Sequence, residues 1–287
     1  MHKYLRAVGF SDIRRKDLDM ILDEVIDHPD SMKMVPTEEG EFSEFSKRFA
    51  PGIGINLRGF FDENEHFSDE YYIPVLEGRN ITSHEWIEIQ KHAEKESYAG
   101  ICDDVNLGLT LIFYITNAAD YIAEKQADKN LDKVKGAVLS GLAAEGKILL
   151  PMEQTREAAS VKNYEKRTEL MAQAREGNQE AMDSLNLQDM NAYNAVSQRV
   201  MKEDILSIVS SYFMPYGVES DQYSVLAEIR EVERLRNDWT GEYVYRLQLC
   251  CNNLIFDVCI NEKDLMGEPA IGRRFKGNIW MQGILCL

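Results

Sequence analysis

The stretch Tyr245-Arg-Leu-Gln-Leu-Cys-Cys-Asn252-Asn253-Leu-Ile-Phe-Asp-Val-Cys-Ile260 decides how the C-terminal part of the chain folds. Two largely apolar runs flank Asn252-Asn253, which is typical of a β-hairpin with a two-residue turn. Such a turn pairs Cys251 with Leu254, Leu249 with Phe256, Leu247 with Val258, and Tyr245 with Ile260. Every member of that face is apolar or a thiol, so a slip of one residue would expose the whole face. The same register puts Cys259 opposite Arg246, which excludes a disulfide across the hairpin.

Outside the hairpin, residues 223–235 and 274–285 are also strand-like, so we predict an antiparallel meander of about four strands, a small sheet or partly open barrel. Residues 118–199 show helical periodicity and predict two or three amphipathic helices, interrupted at residues 147–151 by a short apolar strand or loop. Pro151 is a suitable point to divide the chain. The predicted domains are 1–151, of α+β class, and 152–287, a helical segment followed by an antiparallel β domain.

The N-terminal half alternates between helical and extended patterns. We predict helices at 11–28 and 83–96 from apolar residues three and four apart. Extended runs at 53–61 and 71–77, joined by a hairpin loop, and an apolar strand at 107–116 predict an antiparallel sheet. The predicted fold class is therefore α+β, with an antiparallel sheet and flanking helices in this half.

Composition restricts the function classes. The 287 residues include 32 Lys and Arg against 49 Asp and Glu, a net charge of −17, and 44% are hydrophobic. A strongly acidic chain argues against general binding to nucleic acids or to anionic membranes, which depends on basic patches. The longest apolar run is about half of the ~20 residues that a membrane span needs, and no secretory signal is apparent. We therefore expect a cytoplasmic protein that does not bind membranes.

The best candidate metal ligands are His84, Glu88 and His92, which lie four residues apart. On the predicted helix their side chains share one face, and all three reach one metal ion. The alternative is that this face is simply the solvated side of an amphipathic helix, because Trp86 and Ile89 lie on the opposite side.

The compact basic cluster of the second half is Gly272-Arg-Arg-Phe-Lys-Gly277. Arg273, Arg274 and Lys276 offer donors for a phosphate or carboxylate, and the flanking glycines allow close approach of the backbone. The alternative is that the arginines pair with neighbouring acids such as Glu268 and protect a sheet edge.

Residues 141–147 match the GxxxxGK pattern of a phosphate-binding loop. The next residue is Ile148 instead of the Ser or Thr that binds magnesium, and Glu145 would place a negative charge beside the phosphates. No buried strand precedes the motif. We therefore reject nucleotide hydrolysis and predict a helix that ends at Gly146.

Several further segments resemble a known family: Met1-His-Lys-Tyr-Leu-Arg-Ala-Val-Gly9-Phe, Tyr212-Phe-Met-Pro-Tyr-Gly217-Val-Glu219, Ile260-Asn-Glu-Lys-Asp264-Leu-Met-Gly267-Glu-Pro269 and Gly272-Arg-Arg-Phe-Lys-Gly277-Asn-Ile-Trp280-Met-Gln-Gly283. The chain resembles, over essentially its whole length, a family of bacterial proteins classed as a domain of unknown function. The resemblance implies a cytoplasmic bacterial protein and supplies no activity, cofactor or catalytic residue.

No complete catalytic set is evident, so the leading hypothesis is a non-enzymatic binding or regulatory protein whose partner is a protein or a small anionic ligand. The alternative is an enzyme that handles a phosphate or carboxylate ligand at Arg273, Arg274 and Lys276. A third hypothesis is a metal-dependent hydrolase that uses His84, Glu88 and His92. The sequence does not name a cofactor.

Overall fold

The computed structural model describes residues 1–38, 40–62, 66–92, 95–104, 106–128, 131–151, 178, 179, 182, 184, 209–218 and 220–287. The chain divides into two compact units, Met1–Leu149 with Ser211–Leu287, and Leu150–Ser210. The first unit therefore contains residues from both sides of the domain boundary that was predicted at Pro151. Most of the helical segment predicted beyond Pro151 lies outside the described residues. The first unit carries the fold described below.

The helices and strands of the first unit have the following bounds. A short 3₁₀ helix, Lys3–Val8, precedes α1 (Arg15–Asp27), and α2 is Ala118–Ala127. The strands are β1 (Ser31–Thr37), β2 (Gly40–Ala50), β3 (Ile53–Phe61), β4 (Phe67–Leu76), β5 (Ser83–Lys91), β6 (Tyr98–Asp104), β7 (Leu109–Ile115), β8 (Lys133–Leu149), β9 (Tyr212–Pro215), β10 (Gln222–Arg236), β11 (Tyr243–Cys251), β12 (Leu254–Asn261), β13 (Leu265–Met266) and β14 (Arg274–Leu285). A second 3₁₀ turn, Glu262–Asp264, lies between β12 and β13.

The first sheet is an antiparallel meander of β1, β2, β3 and β4. The predicted strands at 53–61 and 71–77 are confirmed as the β3–β4 hairpin. Helix α1 confirms the helix predicted at 11–28, and it buries Leu18, Ile21 and Val25. These residues, spaced by three and four, form one stripe that packs into the same core as β2 and β3.

The second sheet contains the C-terminal hairpin in the predicted register. Cys251 pairs with Leu254, and Cys259 lies opposite Arg246. Asn252 and Asn253 both have positive φ, at 46° and 69°, as a two-residue hairpin turn of type I′ requires. Asparagine tolerates this left-handed region better than most residues.

The long strand β8 and its partner β14 form the centre of the second sheet. Strand β14 pairs with β10 on one side and with β8 on the other. Strand β8 pairs in parallel with β12, which closes a ring of five strands: β8, β14, β10, β11 and β12. Strands β5, β6 and β7 extend the sheet from β8 and return to β14. The interior is filled by side chains such as Val225, Leu247, Val258, Phe275 and Ile279, all fully buried.

The predicted α+β class is wrong, because the described residues are predominantly β. The helix predicted at 83–96 is strand β5, and β8 occupies part of the predicted helical segment. In β5 the buried Ile87 lies between the exposed Trp86 and Glu88, which is the alternation of a strand. Both segments are strands because they pair with partners distant in sequence, and such pairing overrides local propensity.

A buried ion pair lies between the two sheets. Arg58 on β3 is fully buried and contacts Glu44 on β2, with 2.6 Å between Nε and Oε2. Arg58 Nη2 also donates to the carbonyl of Thr116, directly after β7, at 2.7 Å. The guanidinium group therefore connects the first sheet to the second.

In the part of the chain that the structure describes, every helix is too short or too polar to cross a membrane.

Candidate anion-binding site

Two lysines lie directly opposite each other on the β8–β14 ladder. Lys147 pairs with Lys276 in the antiparallel register. Directly opposed residues on such a pair have Cβ atoms about 4.5–5.5 Å apart, and like charges in these positions destabilise the pair. The two residues line the same cavity. This placement concentrates positive charge in a protein that is acidic overall.

The next outward-facing row of the same ladder is polar. Glu145 on β8 lies opposite Asn278 on β14, and Asn278 lies opposite Ser224 on β10. These three residues line the cavity together with the two lysines. The site therefore consists of a cationic row and, two residues further along each strand, a row of hydrogen-bonding groups.

The cavity has a volume of about 620 Å³. Its remaining walls come from the turn and strand after β12, with Lys263, Asp264, Leu265 and Met266. Met266 is 67% exposed and gives the cavity an apolar edge. This volume falls within the ~300–1,000 Å³ that is typical of small-molecule sites.

Two of the charged groups in the wall already have protein partners. Lys263 Nζ contacts Asp12 at 2.6 Å and Glu242 at 2.7 Å, and these hydrogen bonds and charges raise the Lys263 pKa above its usual value. The Asp264 carboxylate accepts hydrogen bonds from both Nε and Nη2 of Arg6. The 3₁₀ turn that carries Lys263 and Asp264 is thereby attached to the N-terminal segment.

Lys147 and Lys276, by contrast, have no hydrogen bond or ion pair with any residue that the structure describes. Lys147 is exposed and Lys276 is half-buried. Among the described residues, nothing occupies the hydrogen-bonding positions of their ammonium groups.

Glycines occupy the inner side of the ladder between the two rows. Gly146 pairs with Gly277, and a Cβ at Gly146 would lie 2.4 Å from the ring of Phe275. At Gly277 the added atom would lie 2.6 Å from the same ring. Gly146, the second glycine of the GxxxxGK motif, and Gly277 on β14 therefore make room for a buried aromatic ring. The helix predicted to end at Gly146 is wrong, because this residue lies within β8.

The structure separates the three residues of the basic cluster. Arg273 donates to the backbone carbonyl of Glu268 at 2.6 Å and lies 3.9 Å from its carboxylate, which is the alternative arrangement that the sequence suggested. Arg274 is buried, and desolvation lowers its pKa from the ordinary value. Lys276 is the member of the cluster that lines the cavity.

The metal-site prediction loses its structural basis. His84 and Glu88 lie on strand β5, and His92 follows its end. Residues four apart on a strand are separated by about 13 Å, too far for one metal ion to bind all three. The described part of the chain contains no group of three or more His, Cys, Asp or Glu residues that could hold a metal ion.

Lys147 was the residue missed by sequence reasoning, because a helix was predicted to end at Gly146 and residues 147–151 were predicted to form only a short apolar strand or loop. The alternation of Glu145 and Lys147 with Gly146 and Ile148 is the available signal, since it has the period of a strand. Its pairing with Lys276 depends on the register of two strands far apart in the sequence.

These observations define a mainly β protein with a surface cavity that is lined by two cross-strand lysines. Residues 5–283 match the family model described as "Domain of unknown function, E. rectale Gene description (DUF3881)". The chain belongs to this family, as the resemblance implied. No curated protein and no solved structure matches the chain. The family description assigns no activity.

Proposed function

We propose that this protein binds a small phosphate-bearing ligand between Lys147 and Lys276. The observation that carries the proposal is the direct cross-strand pairing of these two lysines at a cavity. Like charges in opposed positions disfavour the sheet unless an anion lies between them. A bound anion converts this repulsion into two attractive contacts.

Phosphate fits the charge of the site better than carboxylate does. A phosphomonoester carries about −1.5 to −2 charges at neutral pH and has three acceptor oxygens. Two ammonium groups supply two positive charges and six N–H donors. A single carboxylate neutralises only one of the two lysines, so we expect it to bind more weakly.

This proposal retains the leading hypothesis of a binding or regulatory protein and takes the ligand class from the alternative hypothesis. From the three residues of the predicted anion site, the proposal keeps Lys276. Lys147 replaces the two arginines, because Arg273 contacts Glu268 and Arg274 is buried. The cavity volume leaves room for a ligand larger than phosphate itself.

Isothermal titration calorimetry with methyl phosphate and with acetate, at low ionic strength, tests the proposal. The variants Lys147→Met and Lys276→Met remove one charge each and keep the length of the side chain. A lost charge-assisted hydrogen bond lowers affinity by roughly tenfold or more, so each variant is expected to bind methyl phosphate at least that much more weakly.

Lys135→Met is the matched control, because Lys135 is an exposed lysine on the same strand β8 and lies outside the cavity. We expect it to bind methyl phosphate as the parent does. The proposal would be refuted if Lys147→Met and Lys276→Met bound methyl phosphate as tightly as the control variant and the parent. It would also be refuted if the parent bound acetate more tightly than methyl phosphate.

A further inference from the structure

Within the part of the chain that the structure describes, the polar row beside the lysines has unused hydrogen-bonding capacity. Glu145, Asn278 and Ser224 come from three adjacent strands and point into the same cavity. None of their side chains has a hydrogen-bond partner among the residues that the structure describes. Together they offer a carboxylate, an amide and a hydroxyl group.

The spacing of the two rows sets the distance between the groups of a ligand that contacts both. Glu145 precedes Lys147 by two residues, and Asn278 follows Lys276 by two residues. Two residues along a strand span about 6.6–6.8 Å. Adjacent strands are about 4.8 Å apart, so the polar row extends roughly 10 Å across the three strands.

The polar row selects for hydroxyl groups and against a second phosphate. The Glu145 carboxylate accepts hydrogen bonds from hydroxyl groups and repels an anionic oxygen. Asn278 and Ser224 each donate to and accept from a hydroxyl group. The apolar wall of Leu265 and Met266 is suited to the carbon skeleton of the ligand.

We infer that the ligand is a phosphomonoester of a polyol or sugar, with its phosphate between Lys147 and Lys276 and its hydroxyl groups on Glu145, Asn278 and Ser224. This inference rests on the proposed function, because it uses the same phosphate position. It adds the chemistry of the rest of the ligand.

The experiment compares two probes that share a phosphate and a three-carbon chain. Glycerol 3-phosphate carries two hydroxyl groups, and n-propyl phosphate carries none. We expect the parent to bind glycerol 3-phosphate about tenfold or more tightly than n-propyl phosphate, because of the added hydrogen bonds. Glycerol 1,3-bisphosphate is expected to bind more weakly than glycerol 3-phosphate, because its second phosphate meets Glu145.

The variant Glu145→Ala separates selectivity from affinity. It removes a negative charge and so strengthens the binding of both glycerol 3-phosphate and n-propyl phosphate. The ratio of the dissociation constants of these two ligands is expected to fall towards one. Glu41→Ala, which changes an exposed glutamate on β2, is the control and is expected to keep the parent's ratio.

The outcomes distinguish the two proposals. If both probes bind with equal affinity and the lysine variants weaken both, the inference about hydroxyl groups is overturned and the phosphate site stands. If the ratio of the dissociation constants of the two probes is the same for Glu145→Ala as for the parent, the inference about hydroxyl groups is also overturned. If the parent binds neither probe, both proposals fail.

Discussion

Replacing Glu44 with glutamine tests how the buried ion pair holds the two sheets together. The Arg58 side chain is 0% exposed and the Glu44 side chain 4% exposed. Arg58 also donates to the hydroxyl of Tyr114 on β7 of the second sheet at 2.9 Å and to the carbonyl of Thr116, directly after β7, at 2.7 Å. Glutamine keeps the shape of the glutamate side chain and removes its charge.

The expected loss of stability is large because Arg58 keeps its charge. Burial by itself lowers the pKa of Arg58, but the Coulombic attraction of Glu44 helps to raise it above its ordinary value. Without Glu44, a guanidinium ion remains buried with no counter-ion. Breaking a buried pair in this way costs about 3–5 kcal/mol of unfolding free energy.

The matched control is Glu88→Gln, which breaks the ion pair between Lys133 and Glu88 on β8 and β5. These side chains are 55% and 56% exposed, so water screens the pair. Exposed pairs contribute about 0–1 kcal/mol. The double variant Arg58→Met with Glu44→Met removes both charges and is expected to recover most of the stability that Glu44→Gln loses.

Urea unfolding, followed by tryptophan fluorescence to which the buried Trp280 contributes, measures these differences. With a slope of about 2–3 kcal/mol/M, the midpoint of Glu44→Gln is expected to fall by about 1–2.5 M. The midpoint of Glu88→Gln is expected to fall by less than about 0.5 M. Equal shifts for the two variants would refute the argument that the buried charge needs its partner.

Two further predictions concern the N-terminal segment and the central ladder. Burial and the charge of the N-terminus lower the pKa of His2 from 6.5 to about 4. Between these values the unfolded chain takes up a proton that the folded chain does not, so unfolding free energy falls as pH decreases from 6.5 to 4, by at most about 3 kcal/mol. In urea titrations at pH 7 and at pH 4.5, the unfolding free energy of His2→Phe is expected to differ less between the two pH values than that of the parent. An equal difference in variant and parent would contradict the attribution of this pH dependence to His2. Gly146→Ala places a Cβ 2.4 Å from the Phe275 ring and is expected to cost about 1–3 kcal/mol. In a Phe275→Leu background its cost should be smaller, and equal thermal stability of Gly146→Ala and the parent would rule out this packing conflict.

The sequence by itself determined the elements whose pattern is local. The C-terminal hairpin has one apolar face and a two-asparagine turn, so its register followed from neighbouring residues. Helix α1 was readable because Leu18, Ile21 and Val25 lie three and four residues apart. The family resemblance was also carried by the sequence alone.

The tertiary structure decided the state of segments whose pattern is ambiguous. Residues 83–91 have apolar spacing that also fits a helix, and β8 is rich in alanine, leucine and lysine, which favour helices. Both became strands because hydrogen-bonding partners far away in the sequence were available. This choice turned the predicted α+β fold into a mainly β one.

The candidate site depended on the same long-range pairing. Of the predicted anion site, Lys276 lines the cavity, but the sequence gives no reason to connect it with Lys147. The two lysines become neighbours because β8 and β14 pair in one register, which Gly146 and Gly277 permit by leaving space for Phe275. Cross-strand neighbours come from separate parts of the chain, so only the packed sheet determines which charges lie together.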